Sequence, residues 1–440
     1  MGSSETAGAE GLSRTLGKLS PGPGMAARDV AAHQLARIHN ATIGIVAEQG
    51  YAGLKVRDLV SYAEVSTRAF YELFASKEDC FLRTYELISR RATRRILAAQ
   101  AGESDWRQRS QLILEEFLRG LEQRPEDAHL ALLEAPGASE ASREQVRRAE
   151  ATFEGMLAES FARAPGGVAI PPLIVEGMVA GIAGVSRSCL IEGRLGELSR
   201  ASGELIEWAR SYPDPVAGEL EKLDRQSIWR DTTLQPLSSK GSKPWSASGD
   251  RSLILKAVAG LATNGYESLT APRIRSAAHV SRKKFTAHFD DVEDCYLAAL
   301  EQHVAVAMAQ ASRAQAAASS WEGGVYRAIA ALCEAITSDR FLSRVCLTDD
   351  FPPGPDGRRS RQRLIEAGTE LISGAGPQTT RPTSFATAAS LGAIWSVFSR
   401  HMLKDRAAGR RAAATLSYLA LAPGVGAGGA VAAIRGEQGG

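Results

Sequence analysis

Residues 50–82 read GYAGLKVRDLVSYAEVSTRAFYELFASKEDCFL, and residues 265–297 read GYESLTAPRIRSAAHVSRKKFTAHFDDVEDCYL. At a shift of 215 positions, without a gap, thirteen of 33 positions are identical: Gly50, Tyr51, Leu54, Ser61, Ala63, Val65, Ser66, Phe70, Phe74, Glu78, Asp79, Cys80 and Leu82 fall on Gly265, Tyr266, Leu269, Ser276, Ala278, Val280, Ser281, Phe285, Phe289, Glu293, Asp294, Cys295 and Leu297. A later segment repeats at a shift of 213, where Ala180, Ser186, Arg187 and Leu190 meet Ala393, Ser399, Arg400 and Leu403. Duplication of a whole unit is the simplest account of such self-similarity.

The first copy is patterned for helices. Leu35, Ile38, Thr42, Ile45 and Val46 recur at helical spacing, and Gly50 stands where a left-handed cap would end that helix. Lys55 to Tyr62 predicts a short second helix with Leu59 inward, Glu64 and Val65 a turn, and Ser66 the cap of a third helix starting at Thr67. Short helix, tight turn and short helix form a helix-turn-helix, whose second member can lie in the major groove of DNA. On that helix Phe70, Leu73 and Phe74 share one side, which makes the two phenyl rings core. Arg68 lies opposite, where its planar fork can read guanine, and Thr67 and Tyr71 on the flank can donate hydroxyl bonds to phosphate or bases. Lys77, just before a fourth helix expected from Glu78, and Lys55 and Arg57 at the start of the second helix are phosphate candidates.

Gly50-Tyr51, Leu54, Leu59, Ala63, Val65-Ser66, Phe70-Tyr71, Phe74 and Ser76-Lys77-Glu78 together resemble the N-terminal DNA-binding segment of TetR-family transcriptional regulators. The resemblance covers about the first third of that half. It implies an all-α protein of two tandem TetR-like units, each an N-terminal three-helix helix-turn-helix domain followed by a helical ligand-binding and dimerisation domain. It further implies repression of a double-stranded DNA operator, relieved by a small effector, expected to be apolar. The alternative is a helical small-molecule-binding or protein-interaction module that has lost DNA recognition.

The second copy departs from the family pattern. Thr286 replaces Tyr71, and Asp291-Val292 replace Ser76-Lys77, which removes two expected phosphate contacts and adds a carboxylate. Against that, Arg273, Arg275, Arg282, Lys283 and Lys284 give the stretch 272–284 five positive charges and no negative ones, and Arg282 and Lys283 occupy the slots of Thr67 and Arg68. Arg273, Arg282, Lys283, Lys284 and Thr286 are therefore the DNA-contact candidates of an altered second reader.

The rest of the chain bounds these readings. Its 440 residues suffice for several domains, 44% apolar content supplies cores, and 52 Lys and Arg against 50 Asp and Glu leave only +2, so a polyanion must be held by local basic patches. Residues 1–27 and 423–440 are expected to be tails and 212–248 a linker, with a helical turn or two around 219–229. The helix-turn-helix domains are expected over 28–90 and 249–305, the regulatory domains over 91–211 and 306–422. Five scattered cysteines with no C-x-x-C pair fit a reduced, cytoplasmic setting and no structural metal. The repeated Cys80 and Cys295 suit a thiol switch or, more commonly, buried packing. No signature of catalysis or of a cofactor is present, and the charges within 173–191 argue against a membrane span. Gly177, Gly181 and Gly184 and their counterparts Gly392, Ala393 and Ser396 suit close helix packing, either in an ordinary core or where the two halves pair within one chain or between two copies.

Overall fold

The computed structural model describes residues 27–164, 170–212, 217–226, 249–348, 352, 355–373 and 384–439, and among these there is helix but no strand. The tail expected before residue 27 and most of the expected linker lie outside the described residues. The chain divides into two compact units, one of Met1–Ser160 with Ser186–Ser202, the other of Phe161–Val185 with Gly203–Gly440.

In the first unit α1 (Ala27–Gly53) breaks at Gly50, whose φ of 70° and ψ of 172° are open to glycine and strained for other residues. Then come α2 (Val56–Tyr62), α3 (Thr67–Leu73) and α4 (Lys77–Ala99). The α2–α3 turn is made by Glu64 at a φ of 47°, a left-handed conformation held by an ion pair from buried Arg37 at 2.8 Å. Ser66 caps α3 by accepting from the Ala69 N–H at 3.0 Å, and Ser76 caps α4 through the Asp79 N–H at 3.1 Å, so α4 begins at Lys77, one residue before the expected start. Ile38, Val46, Leu54, Leu59, Phe70, Phe74, Cys80 and Phe81 form one buried cluster. It continues through Leu130 and Ala135 into the helices that follow: α5 (Trp106–Gln123), α6 (Pro125–His129), a π turn at Leu130–Glu134, α7 (Ala135–Ala138) and α8 (Glu140–Ala162).

Next in the chain are α9 (Pro172–Ile191), α10 (Leu198–Arg210) and α11 (Ala217–Gln226). A second trio follows: α12 (Asp250–Leu261), α13 (Ala271–Ala278) and α14 (Arg282–Thr286), then the long α15 (Val292–Ala316). Its backbone has the same irregularities at the same places: Gly265 at a φ of 99°, His279 in the left-handed turn at 54°, and Ser281 accepting from the Lys284 N–H at 3.3 Å. Phe285 and Phe289 are buried with Ile254, Val258 and Cys295, a cluster that extends to Phe341 and Val345.

The remaining helices are α16 (Trp321–Ser338), α17 (Arg340–Thr348), α18 (Pro355–Ser373), α19 (Ser384–Lys404), α20 (Arg406–Arg411) and α21 (Ala413–Gly439). Within the second unit the glycine stripe of α9 lies on α19: an added Cβ at Gly181 would stand 2.5 Å from the Ala389 carbonyl oxygen and 2.7 Å from the Trp208 ring, and one at Gly184 would stand 3.4 Å from the Gly392 Cα. The Trp208 indole N–H donates to the Ser390 hydroxyl at 2.9 Å, the Tyr212 hydroxyl to the Leu419 carbonyl at 2.7 Å, and the Tyr418 hydroxyl to the Tyr212 carbonyl at 2.9 Å. Arg400 pairs with Glu176 at 3.0 Å. Tyr212, where the linker was expected to begin, is thus a core residue, and α11 packs its Leu220 and Leu223 inward. The Asp224 carboxylate on α11 caps α21 by accepting from the Ala414 and Thr415 N–H groups at 3.0 and 3.1 Å.

The end of the chain corrects the expected frayed tail at 423–440. Helix α21 bends at Gly426 and continues to Gly439. Ala427, Ala430, Val431 and Ile434 are buried, because small apolar residues at helical spacing find a surface to cover. Two helices, Pro172–Ile191 and Ala413–Gln438, are long and apolar enough to cross a membrane, and 50% and 56% of their apolar windows are buried inside the protein. Core packing accounts for that apolar character.

Because the backbones of α9 and α19 approach closely at Gly181, with the Trp208 ring beside them, the Gly181→Ala change is expected to destabilise the second unit by about 1–3 kcal/mol through overpacking, read as an earlier denaturant midpoint with an unchanged slope. Gly184→Ala, in ordinary contact distance, is expected to change it less.

Candidate nucleic-acid interface

The seven residues of α3 would not hold a helix alone in water. The rings of Phe70 and Phe74, 5.4 Å apart, fix it against α1 and α4. With that side buried the rest of the helix faces outward. Arg68 is 90% exposed and pairs with Glu72 along the helix at 2.9 Å. Thr67 is exposed, and Tyr71, 56% exposed, rests its ring edge-on against Phe70 at 5.3 Å. Lys55 and Arg57 are exposed on the start of α2, where Arg57 meets Asp58 at 3.2 Å. Such exposed pairs are weak and salt-screened, so Arg68 and Arg57 can exchange their carboxylates for a nucleic acid at little loss.

Lys77 is placed differently. Its ammonium donates to the Leu54 carbonyl at 3.1 Å and lies 4.8 Å from the centre of the Tyr51 ring. A lysine held at the N-terminus of a 23-residue helix adds its charge to the positive end of the helix dipole.

Behind the interface, buried His39 donates from Nδ1 to the Thr84 hydroxyl at 2.7 Å, because the Thr84 proton is itself given to the Cys80 carbonyl. The imidazole stands edge-on to Phe74 at 5.7 Å. Burial, and then the nearby charges of Arg83 and Arg91, lower its pKa from 6.5 to about 4. The thiols of Cys80 and Cys295 are pushed up by burial to about 11 and about 12, which suits packing and leaves no reactive thiolate.

In the second trio Arg282 and Lys283 are exposed on α14. The other candidates are also exposed, but each has a partner within the chain. Lys284 meets Asp250 on α12 at 3.0 Å, Thr286 donates back to the Arg282 carbonyl at 3.1 Å, and Arg273 donates to the Ser268 carbonyl. Asp291, the carboxylate in the place of Ser76, caps α15 through the Asp294 N–H at 2.8 Å, so its charge serves the helix end. None of these internal bonds is legible from the basic run alone.

Residues 38–84 match the family model described as bacterial regulatory proteins, tetR family. They form a TetR-type helix-turn-helix domain. The match runs from within α1 through α2 and α3 to the start of α4. No curated protein matches the chain. Solved structures similar to part of it include the fatty acid degradation regulator FadR from Bacillus halodurans, 15% identical over 43% of this chain and 96% of that one, with a TM-score of 0.38. Another is the transcriptional regulator FadR from Bacillus subtilis in complex with stearoyl-CoA, 16% identical over 40% and 96%, with a TM-score of 0.37.

The state of His39 sets a pH dependence for this TetR-type domain. An imidazole whose folded pKa lies below its unfolded one contributes stability that is present above pH 6.5 and is lost as pH falls toward about 4. Acid unfolding followed by circular dichroism is expected to show that loss, and His39→Gln, which keeps a donor for Thr84, to flatten it.

Proposed function

We propose that the chain is a non-enzymatic, DNA-binding transcriptional regulator of the cytoplasm, a ligand-responsive repressor with two unlike helix-turn-helix readers derived by tandem duplication. The observation that carries the proposal is the division of α3 into a buried phenyl side and an exposed side bearing Thr67, Arg68 and Tyr71, inside the domain that matches the tetR family. In this reading Arg68 contacts a base edge, Thr67 and Tyr71 contact bases or phosphate, and Lys55, Arg57 and Lys77 contact phosphate. Arg282 and Lys283 lead the second reader, with Arg273, Lys284 and Thr286 as helpers once their internal bonds open.

Duplication is supported by the shared backbone irregularities: Gly50 and Gly265, Glu64 and His279, and the capping serines 66 and 281. Pairing of the two halves within one chain is supported by the seating of α9 and α10 on α19 and α21, in the place where a family member's dimerising helices would meet those of a second subunit. A small apolar effector would act by moving α4 or α15, which each trio shares with the helices behind it.

Full-length protein is expected to shift duplex DNA in a salt-dependent way; no shift at low salt would leave the helical binding module as the better reading. Footprinting is expected to return two unlike half-sites about 34 Å apart, and a perfect inverted repeat contacted equally on both arms would refute the paired-reader arrangement. On such a site Arg68→Ala should cost about 1–3 kcal/mol of specific binding, whereas Lys77→Ala should weaken specific and random duplexes alike.

A further inference from the structure

A carboxylate far from the DNA-facing helix is built into the corner that supports it. The π turn Leu130–Glu134 follows α6 directly. Such turns are rare, interrupt the regular ladder and occur often at functional sites. Here the Leu132 carbonyl accepts from the Arg187 guanidinium Nε at 3.1 Å. Glu134, the last residue of the turn, reaches back to accept the Tyr51 backbone N–H at 2.8 Å. The same carboxylate oxygen would stand 3.1 Å from a Cβ added to Gly50, so it fills the notch that the glycine leaves at the break of α1.

That corner is also what holds Lys77. The Tyr51 ring lies beneath the ammonium at 4.8 Å, and the Leu54 carbonyl that accepts from it at 3.1 Å belongs to a turn closed by the Leu54 N–H on the Tyr51 carbonyl at 3.2 Å. Both tethers of Lys77 therefore hang on the residue whose backbone Glu134 fixes. A lysine ordered before it meets a phosphate gives up less rotamer freedom on binding. In the second trio Val292 stands where Lys77 stands, and the pairing of ring and ammonium has no counterpart there.

We infer that Glu134 is a positioning residue for DNA binding: by pinning the Tyr51 N–H it orients Lys77 toward the phosphate backbone. This rests on the DNA-binding reading above and adds to it a residue that acts through Lys77.

The test is a salt titration of the full-length protein on a random-sequence duplex of about 30 base pairs, long enough for two major-groove contacts one helical turn apart. Lys77→Ala should lower affinity about tenfold and reduce the log–log salt slope by about one. Glu134→Ala should lower affinity several-fold and reduce the slope in the same way, and the double variant should be no weaker than Lys77→Ala alone. Glu134→Gln keeps an oxygen for the Tyr51 N–H and should bind as the wild type does. Tyr51→Leu leaves the backbone bond but removes the ring, and reads the same slope change should Glu134→Ala fold poorly. A merely structural role for Glu134 would give an unchanged slope and losses that add to those of Lys77→Ala; either result overturns the inference while wild-type binding stands. Absence of wild-type binding would instead overturn the DNA-binding reading, and the inference with it.

Discussion

The burial of two phenyl rings, Phe70 on a seven-residue helix and Phe74 at its C-cap, is the constraint on which the exposed face of α3 depends. Fully burying a phenyl side chain is worth about 1.5–3 kcal/mol, and α3 has little else to hold it, since Ser66 supplies a single cap bond. With Phe70 and Phe74 committed to the cluster of Ile38, Leu59 and Cys80, helical geometry leaves Arg68 and Thr67 no direction but outward. The exposed face is thus a consequence of the core.

The same core joins the first trio to the helices behind it. Leu130 and Ala135 belong to the cluster that holds Phe70 and Phe74, and in the second unit Phe341 and Val345 belong to the one that holds Phe285 and Phe289. Close-packed interiors respond to displacement by shifting as a whole or repacking between discrete arrangements. The π turn in the first unit, and α17 in the second, therefore have a packed route to α3 and α14 respectively.

Local signals made the trios legible in sequence: ring spacing at i and i+4, serine before a helix, glycine after one. All act within a few residues. The Glu134–Tyr51 bond, the Arg37–Glu64 pair and the Lys284–Asp250 pair were invisible because each joins residues tens of positions apart, and a lone carboxylate or guanidinium in a helical stretch carries no sign of its partner. The final helix is hidden for a related reason: glycine and alanine after Pro423 read as weak structure, and the surface they cover and the Asp224 cap, neither visible in the local sequence, hold α21. Tyr212 was lost to the linker because proline follows it, although its hydroxyl and ring are satisfied by residues two hundred positions away.

The differences between the two trios separate what folding demands from what a ligand demands. Backbone-determining positions agree: the glycine at positive φ, the capping serine and the paired rings are the same residues, and Glu64 and His279 share the left-handed conformation. Exposed positions do not: Tyr71 becomes Thr286 and Arg68 becomes Lys283, while half-buried Lys77 becomes Val292, which packs against the second core. Packing tolerates little change because each lost methylene or clash is felt, whereas an exposed side chain is held in place only by what it touches outside. Where the first trio carries a tethered lysine over a tyrosine ring, the second carries a valine and a capping aspartate. The phosphate contact open to the Lys77 ammonium has no counterpart in the Val292 side chain.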